Sequence, residues 1–269
     1  MQSEKIKKIE TFLIPERKFV LKNGVFDFRQ VPPEFKADDS DKLMTGIKIF
    51  FKKYPLVFNI FFYTMGGSFV GKSAKQAIKD LSFGNSLILN LGSGVKQIRG
   101  DVVNIDFYPF QKIDILADIC DLPFQNQCAE AIIIEAVLEH LKNPEILINE
   151  ILRVLKPEGI VYATVPFVQG FHSSPDDYYR WTKPGLEYAF RKFQKVDSGV
   201  RHGPTSAFVL LLAEWLSIFF GLGISSLRQF FFLFFTFVLF PVKLVDLLIW
   251  RLAGSENIAS GFYYIGKKI

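Results

Sequence analysis

The sequence predicts an α/β protein whose core is a mostly parallel sheet with helices on both of its faces. Short, continuously apolar segments recur along residues 86–200, which is typical of parallel strands buried on both faces. An amphipathic helix pattern separates the fourth of these segments from the fifth, as in a strand–helix–strand unit. The length of 269 residues suits one such domain with an added segment.

Five apolar segments are predicted to be core strands. They are residues 87–91, 102–106, 113–117, 131–134 and 159–165, and a last strand is predicted at 261–266. The helix pattern covers residues 144–155 and ends in Lys-Pro-Glu-Gly. Only ten residues separate Leu91 from Val102. Because a parallel crossover normally needs about a dozen or more, the first helix is expected to be very short or replaced by a loop.

Composition and charge exclude several classes of protein. A hydrophobic fraction of 49% rules out a disordered or low-complexity chain. Residues 81–200 hold 11 basic and 15 acidic side chains, so no nucleic-acid channel is expected there. The two cysteines, Cys120 and Cys128, lack metal-ligand spacing, so neither a metal site nor a disulfide scaffold is expected. With no visible signal peptide, the expected location is the cytoplasm or its membrane face.

Four regions are predicted. Residues 1–80 form an N-terminal extension or cap with a helix pattern at 42–65, residues 81–206 the core, 207–252 a hydrophobic helical insertion, and 253–269 the final core strand. The insertion holds two Phe-rich uncharged runs on either side of Arg228, each shorter than the ~18 residues of a spanning helix. Three arrangements stay open: a hairpin in a membrane interface, a spanning helix that carries Arg228 into the bilayer, and a soluble lid or dimer face.

Small and acidic residues follow the first four core strands. Gly92, Ser93 and Gly94 follow the first, Asp106 and Phe107 the second, Asp118 and Ile119 the third, and Glu135 the fourth. Glycines let a backbone approach a ligand closely, and a carboxylate at a strand end can accept both hydroxyl hydrogen bonds of a ribose. The sequence therefore predicts a nucleotide-like ligand at the carboxyl ends of these strands.

These ordered pieces resemble the class I S-adenosylmethionine-dependent methyltransferases, specifically the methyltransferase type 11 group, over roughly residues 85–200. The resemblance implies a Rossmann-like sheet of the seven-stranded type and S-adenosylmethionine as the cofactor. It implies that the methionine portion lies against Asn90, Gly92, Ser93 and Gly94, the ribose on Asp106 beside Phe107, the adenine near Asp118 and Ile119, and the sulfonium near Glu135. The family usually has an acid where this chain has Asn90 and a third glycine where it has Lys96.

The loop after the fifth core strand concentrates groups that can orient an acceptor and take its proton. It holds His172, Asp176, Asp177, Tyr178 and Arg180. His172 is the expected base, Asp176 or Asp177 would orient it, and Tyr178 belongs to the same catalytic set. The alternative interpretation of residues 176–180 is a capped helix start with an internal ion pair. His140, after the fourth strand, is more typical of a structural residue.

The loop pattern Pro-Phe…His-x-Ser-Pro-x-Asp-Tyr-x-Arg resembles a type 11 subgroup often found among cell-envelope polysaccharide genes. That resemblance implies methyl transfer to a small-molecule, glycan or lipid-linked acceptor, and the Phe-rich insertion favours an amphiphilic one at a membrane surface. The enzyme would then be peripheral or monotopic. The alternative is a non-catalytic membrane-associated scaffold with a degenerate pocket, suggested by Asn90, Lys96 and the missing helix. A Rossmann oxidoreductase is disfavoured because the Gly-x-Gly turn lacks its final glycine.

Overall fold

The computed structural model describes residues 2–30, 70–81, 86–171 and 176–269. The strands are β1 (Val20–Lys22), β2 (Val25–Asp27), β3 (Ile88–Leu91), β4 (Val103–Asp106), β5 (Ile115–Leu116), β6 (Ala129–Glu135), β7 (Leu155–Pro166), β8 (Phe193–His202) and β9 (Gly261–Lys268). The helices are α1 (Gln2–Phe12), α2 (Ala74–Ala77), α3 (Pro144–Val154), α4 (Lys183–Ala189), α5 (Pro204–Gly221), α6 (Ser225–Lys243) and α7 (Asp246–Ile249), with short 3₁₀ turns at Leu138–His140 and Ser255–Ile258. The helix pattern at 42–65 lies outside the described residues.

The described strands form one nine-stranded sheet in the order β1-β2-β5-β4-β3-β6-β7-β9-β8. Strands β3 to β7 pair in parallel, and β9 lies antiparallel between β7 and β8. The predicted α/β class is confirmed, and all five predicted core strands and the last strand are present. The sheet is wider than the seven-stranded type because β1 and β2 extend it beyond β5.

Helices cover both faces of the sheet. Apolar residues of α1, α3 and α4 pack into the larger core cluster, among them Ile9, Leu147 and Leu186. Ile78, just after α2, packs on the other face against Tyr162. Residues 92–102 contain turns and no helix between β3 and β4, as the short spacing predicts.

The N-terminal residues 2–30 add to the sheet. Strand β2 pairs in parallel with β5, with Phe26 opposite Ile115, and Phe26 is completely buried. Lys5, on α1, reaches across to the Asp114 carboxylate at 2.7 Å. This part of the extension is therefore packed against the core, while the predicted domain boundaries stay predictions.

The hydrophobic insertion is a helical hairpin made of α5 and α6. Helix α5 ends where Leu222 and Gly223 adopt positive φ angles of 47° and 80°, a conformation that terminates helices. Near the tip of the hairpin, Arg228 in the first turn of α6 forms an ion pair with Glu214 on α5 at 2.7 Å. Strand β8 runs parallel to β7, so the hairpin leaves the sheet at its carboxyl edge, and the chain returns to the same edge at Gly261.

Candidate cofactor and acceptor site

The turn after β3 contains two glycines that the structure uses differently. Gly92 and Gly94 have φ angles of 62° and 53°, which residues with a Cβ adopt at a cost. A Cβ on Gly92 would lie 2.6 Å from Cγ2 of Val137, so close packing also requires a glycine there. A Cβ on Gly94 would meet nothing within 4 Å. The open side of Gly94 is therefore available to a ligand.

Asp106 closes β4 beside this turn and is buried. Its Oδ2 accepts the Gly94 N–H at 2.8 Å, and its Oδ1 accepts the Tyr108 N–H at 2.9 Å. Burial raises the pKa of this carboxyl, and these backbone donors oppose the rise. Each oxygen keeps acceptor capacity beyond its one backbone donor. Asp106 is thus a fixed acceptor pair of the kind that binds a diol.

Ser93 places a buried polar group beside the same turn. Its hydroxyl is buried and has no hydrogen-bond partner among the described residues. An unsatisfied buried hydroxyl costs about 1–3 kcal/mol. Between Gly94 and the backbone of β4, this hydroxyl suits the polar methionine portion of S-adenosylmethionine, so the residues present fit that cofactor.

The residues predicted to hold the adenine lie at the same sheet edge. Asp118 follows β5, is exposed, and accepts the Cys120 N–H at 2.8 Å through Oδ1. Ile119 is half-buried beside it, and Phe107, after β4, is exposed. Because β4 and β5 pair in parallel, their carboxyl ends bring these three residues to one side of the Gly92–Gly94 turn. Their contact with a nucleotide stays a prediction.

Asn90 and Lys96, the two departures from the family pattern, are both engaged within the turn. The Asn90 side-chain amide is buried and donates to Oδ1 of Asn104 at 3.1 Å. The ammonium of Lys96 lies 2.6 Å from Oε2 of Glu135, the last residue of β6. The Asn90 side chain therefore links β3 to β4, and the Glu135 carboxylate is paired with the Lys96 ammonium.

The segment after β7 contains the ion pair that the alternative interpretation expects, without the helix. Both Nη atoms of Arg180 contact the Asp177 carboxylate, at 2.5 and 2.6 Å. Helix α4 begins only at Lys183, where Thr182 caps it by accepting the Gly185 N–H at 3.1 Å. Asp177 is thus committed to holding the segment in place.

The structure describes two of the three remaining predicted catalytic residues. Asp176 and Tyr178 are exposed, and the Tyr178 hydroxyl donates to Oδ2 of Asp176 at 2.9 Å. His172 lies outside the described residues. The catalytic roles of His172, Asp176, Asp177 and Tyr178 stay predictions.

His140 and Glu139 sit between the two halves of the site. His140 Nδ1 lies 2.5 Å from the Asp176 carbonyl oxygen, which can only accept, so Nδ1 carries a proton. Glu139 is fully buried, with Oε1 3.9 Å from His140 Nε2. Burial raises the pKa of Glu139 to about 7. Sequence reasoning gave His140 a structural role, and its contact with the Asp176 backbone, which holds the acceptor loop, is consistent with that role.

The described residues offer no metal site. No group of three or more His, Cys, Asp or Glu within them is placed to hold an ion. Cys120 and Cys128 are free thiols, and burial raises the pKa of each to about 11. Neither thiol is therefore a ready thiolate nucleophile at neutral pH.

Comparisons with known proteins fit this geometry. Residues 92–163 match the Methyltransf_11 family model, described as a methyltransferase domain. No curated protein matches the sequence. Several solved structures are similar in fold. One is a putative methyltransferase of Haloferax volcanii in complex with the activator Trm112, with a TM-score of 0.45 and 15% identity over 86% of this chain and 98% of that one. Another is a methyltransferase of Thermotoga maritima, titled a possible histamine N-methyltransferase, with a TM-score of 0.44 and 12% identity over 82% of this chain and 100% of that one. Structural similarity at these TM-scores and identities does not assign an activity or a partner to this protein.

The sheet has the Rossmann-like architecture that the ordered motifs predicted, and residues 92–163 within it match a methyltransferase domain. The match supports S-adenosylmethionine as the cofactor, as predicted. The match covers about a quarter of the chain, from the glycine turn to the middle of β7. The alternative of a non-catalytic membrane scaffold gains no support from these findings.

Proposed function

We propose that this protein transfers a methyl group from S-adenosylmethionine to an amphiphilic acceptor, a glycan or lipid-linked molecule at the cytoplasmic face of a membrane. One observation carries the methyl-transfer part. The open side of Gly94, the unsatisfied Ser93 hydroxyl and the buried Asp106 carboxylate meet at one edge of a parallel sheet. That combination supplies close backbone approach, a polar contact and a diol acceptor for a nucleoside ligand.

The cofactor supplies an activated methyl group on a sulfonium, and the protein's part is alignment and proton removal. Asp106 would hold the ribose, and the Gly92–Gly94 turn would hold the methionine portion. Alignment can account for about 7–11 kcal/mol of barrier lowering. If the acceptor is a hydroxyl, a base contributes roughly 10²–10⁴-fold. His172 is the sequence-based candidate for this base, and His140, whose Nδ1 contacts the Asp176 carbonyl oxygen in the acceptor loop, is a second candidate.

The hairpin supports an amphiphilic acceptor because it leaves the sheet at the same edge as the cofactor site. His202, the last residue of β8, is half-buried, and its removal from water together with the cations of Arg201, Lys243 and Lys96 lowers its pKa to about 3. Lys96 belongs to the cofactor turn and Lys243 to the end of α6. The hairpin begins after β8 and the cofactor turn follows β3, so both lie at the carboxyl edge of one sheet.

The surface of the hairpin supports the proposed contact with a membrane. Exposed large apolar side chains cover it, including Trp215 at 61%, Phe219 at 62%, Phe237 at 66% and, at its tip, Leu222 at 80%. Its two helices, Pro204–Gly221 and Ser225–Lys243, are long and apolar enough to cross a membrane by length and composition. Because both ends return to one sheet edge, we favour a hairpin that dips into one leaflet, with Glu214 and Arg228 neutralising each other.

Calorimetric titration of S-adenosylmethionine into detergent-solubilised protein tests the methyl-transfer proposal. We expect saturable binding by the unmodified protein, and its loss in Asp106→Ala. Asp121→Asn is the matched control, because Asp121 is an exposed carboxylate paired with Arg17. Folded protein that binds no cofactor would refute the proposed function.

Vesicle flotation tests the membrane part. The double variant Trp215→Ser/Phe219→Ser removes two exposed rings that stack on each other in the hairpin. We expect it to float with vesicles much less than the unmodified protein. Tyr188→Ser, which alters an equally exposed aromatic residue on α4, is expected to float normally. Equal flotation by all three proteins would contradict the membrane contact.

A further inference from the structure

Glu135 lies next to the cofactor turn. In the pairing of β3 with β6, Leu91 is opposite Ile134, so Glu135 is the next residue along β6, beside Gly92. Its side chain is only 13% exposed, while that of its partner Lys96 is 47% exposed. A mostly buried carboxylate on a rigid strand is thus paired with a flexible, half-exposed ammonium.

The other polar groups of the turn are engaged differently. Asp106 accepts two backbone N–H groups, and Asn90 is uncharged and donates its amide to Asn104. Among the described residues, Glu135 is therefore the carboxylate beside this turn whose partner can leave at small cost. A lysine ammonium is strongly hydrated on a flexible four-carbon stem, so it is readily returned to water.

S-adenosylmethionine brings its own ammonium, on the α-carbon of its methionine portion. We propose that Glu135 binds this ammonium and that Lys96 is its placeholder when no cofactor is bound. The exchange replaces one cation by another, so the buried carboxylate is never left unpaired, a state that costs far more than the pair. The inference rests on the proposed function and assigns the ammonium subsite to β6, where Asn90 on β3 provides no charge.

Two consequences follow for affinity. Removing the Glu135 charge deletes a hydrogen bond to a charged ligand group, for which we expect about 10–100-fold weaker cofactor binding. Removing the placeholder deletes a competitor, and because the Lys96 ammonium is half exposed and readily hydrated, it competes only weakly. Lys96→Met is accordingly expected to bind the cofactor about 2–5-fold more tightly.

Calorimetry with two ligands tests this. Glu135→Gln, which keeps the shape of the side chain, is titrated with S-adenosylhomocysteine and with 5′-methylthioadenosine, two thioethers of the same nucleoside of which only the first has the ammonium. We expect the variant to weaken only S-adenosylhomocysteine binding. Equal loss for both ligands, or no loss for either, would overturn the inference while leaving the proposed function intact.

Lys96→Met provides a second, independent readout because it leaves the carboxylate in place. Tighter S-adenosylmethionine binding with unchanged 5′-methylthioadenosine binding supports the exchange. Weaker S-adenosylmethionine binding would overturn it, since Lys96 would then be a ligand contact and not a placeholder. Failure of the unmodified protein to bind S-adenosylmethionine would remove the proposed function itself, a result distinct from either of these.

Discussion

The carboxylate of Asp246 accepts the Ser206 hydroxyl at 2.6 Å and thereby joins the end of the hydrophobic hairpin to its beginning. The same carboxylate accepts the backbone N–H groups of Thr205 and Ser206 at 2.7 and 2.9 Å. These are first-turn donors of α5 that have no partner within the helix. One buried side chain from α7 therefore caps a helix that begins some forty residues earlier.

Replacing this cap should destabilise the protein. We expect Asp246→Ala to lower the free energy of unfolding by about 2–3 kcal/mol, because it leaves buried donors unsatisfied. Chemical denaturation in detergent measures the change. Glu256→Ala, which removes a more exposed carboxylate paired with Lys183, is the control and should change stability by less than about 1 kcal/mol. Equal stability of the two variants would contradict the capping role.

The two turn glycines should fail in different ways when changed to alanine. Both have positive φ, which costs about 1–2 kcal/mol for alanine, but only at Gly92 does the new Cβ collide with Val137. We expect Gly92→Ala to cost about 2–4 kcal/mol of stability and Gly94→Ala about 1–2 kcal/mol. Denaturation curves measure both.

The double variant Gly92→Ala/Val137→Ala provides the check on this explanation. It removes the collision, and its cost should therefore be smaller than the sum of the two single changes. Strict additivity would show that the collision is not the cause.

Glu139 should make stability fall as pH rises through neutrality. Burial raises its pKa in the folded protein to about 7, from the 4.5 of an ordinary glutamate. The folded state then holds a proton that the unfolded state releases, so this contribution is full below pH 4.5 and is lost as pH rises through 7. Glu139→Gln stays neutral, and we expect it to be about 2–3 kcal/mol more stable than the unmodified protein at pH 8.

The comparison at low pH controls for effects other than ionisation. Near pH 4 the carboxyl is protonated in both states, so Glu139→Gln and the unmodified protein should unfold at nearly the same denaturant concentration. A stability difference that is the same at pH 4 and pH 8 would contradict the shifted pKa.

Asp176 and Asp177, neighbours in the acceptor loop, should respond unequally to removal of charge. The side chain of Asp177 is 1% exposed and holds Arg180, which also donates to the carbonyls of Gln169 and Gly170. Asp177→Asn is therefore expected to lower stability by about 2 kcal/mol. Asp176→Asn affects an exposed carboxylate and should change stability by less than about 0.5 kcal/mol. Thermal unfolding of both variants decides this, and a larger loss for Asp176→Asn would contradict it.

Much of the fold could be predicted because its signals are local. The buried strands are continuous apolar runs, and the amphipathic pattern at 144–155 gives α3 (Pro144–Val154) almost residue for residue. The short spacing between β3 and β4 left no room for a helix. Strands β1 and β2 were missed because three-residue strands carry little pattern, and only pairing with β5 defines them.

Part of the candidate site could likewise be predicted from local sequence signals, and part could not. The positions of Gly92, Gly94 and Asp106 follow from strand ends, so the sequence alone brought them to one edge. The Asp177–Arg180 pair was foreseeable from its i, i+3 spacing, but the helix expected around it was not formed. The contact between His140 and the Asp176 carbonyl oxygen, 36 residues apart, could not be predicted because chain order does not show it.

The class of protein could be predicted from the amino-acid sequence alone, because apolar segments, a glycine turn and acids at strand ends are local features of the chain. Tertiary structure decided which charged groups meet. Asp246, at the start of α7, caps α5, and Lys96 reaches Glu135 at the end of β6. The reason is physical: a buried charge is stabilised by whichever partner packing brings within a few ångströms, and that distance is set by the fold and not by sequence separation.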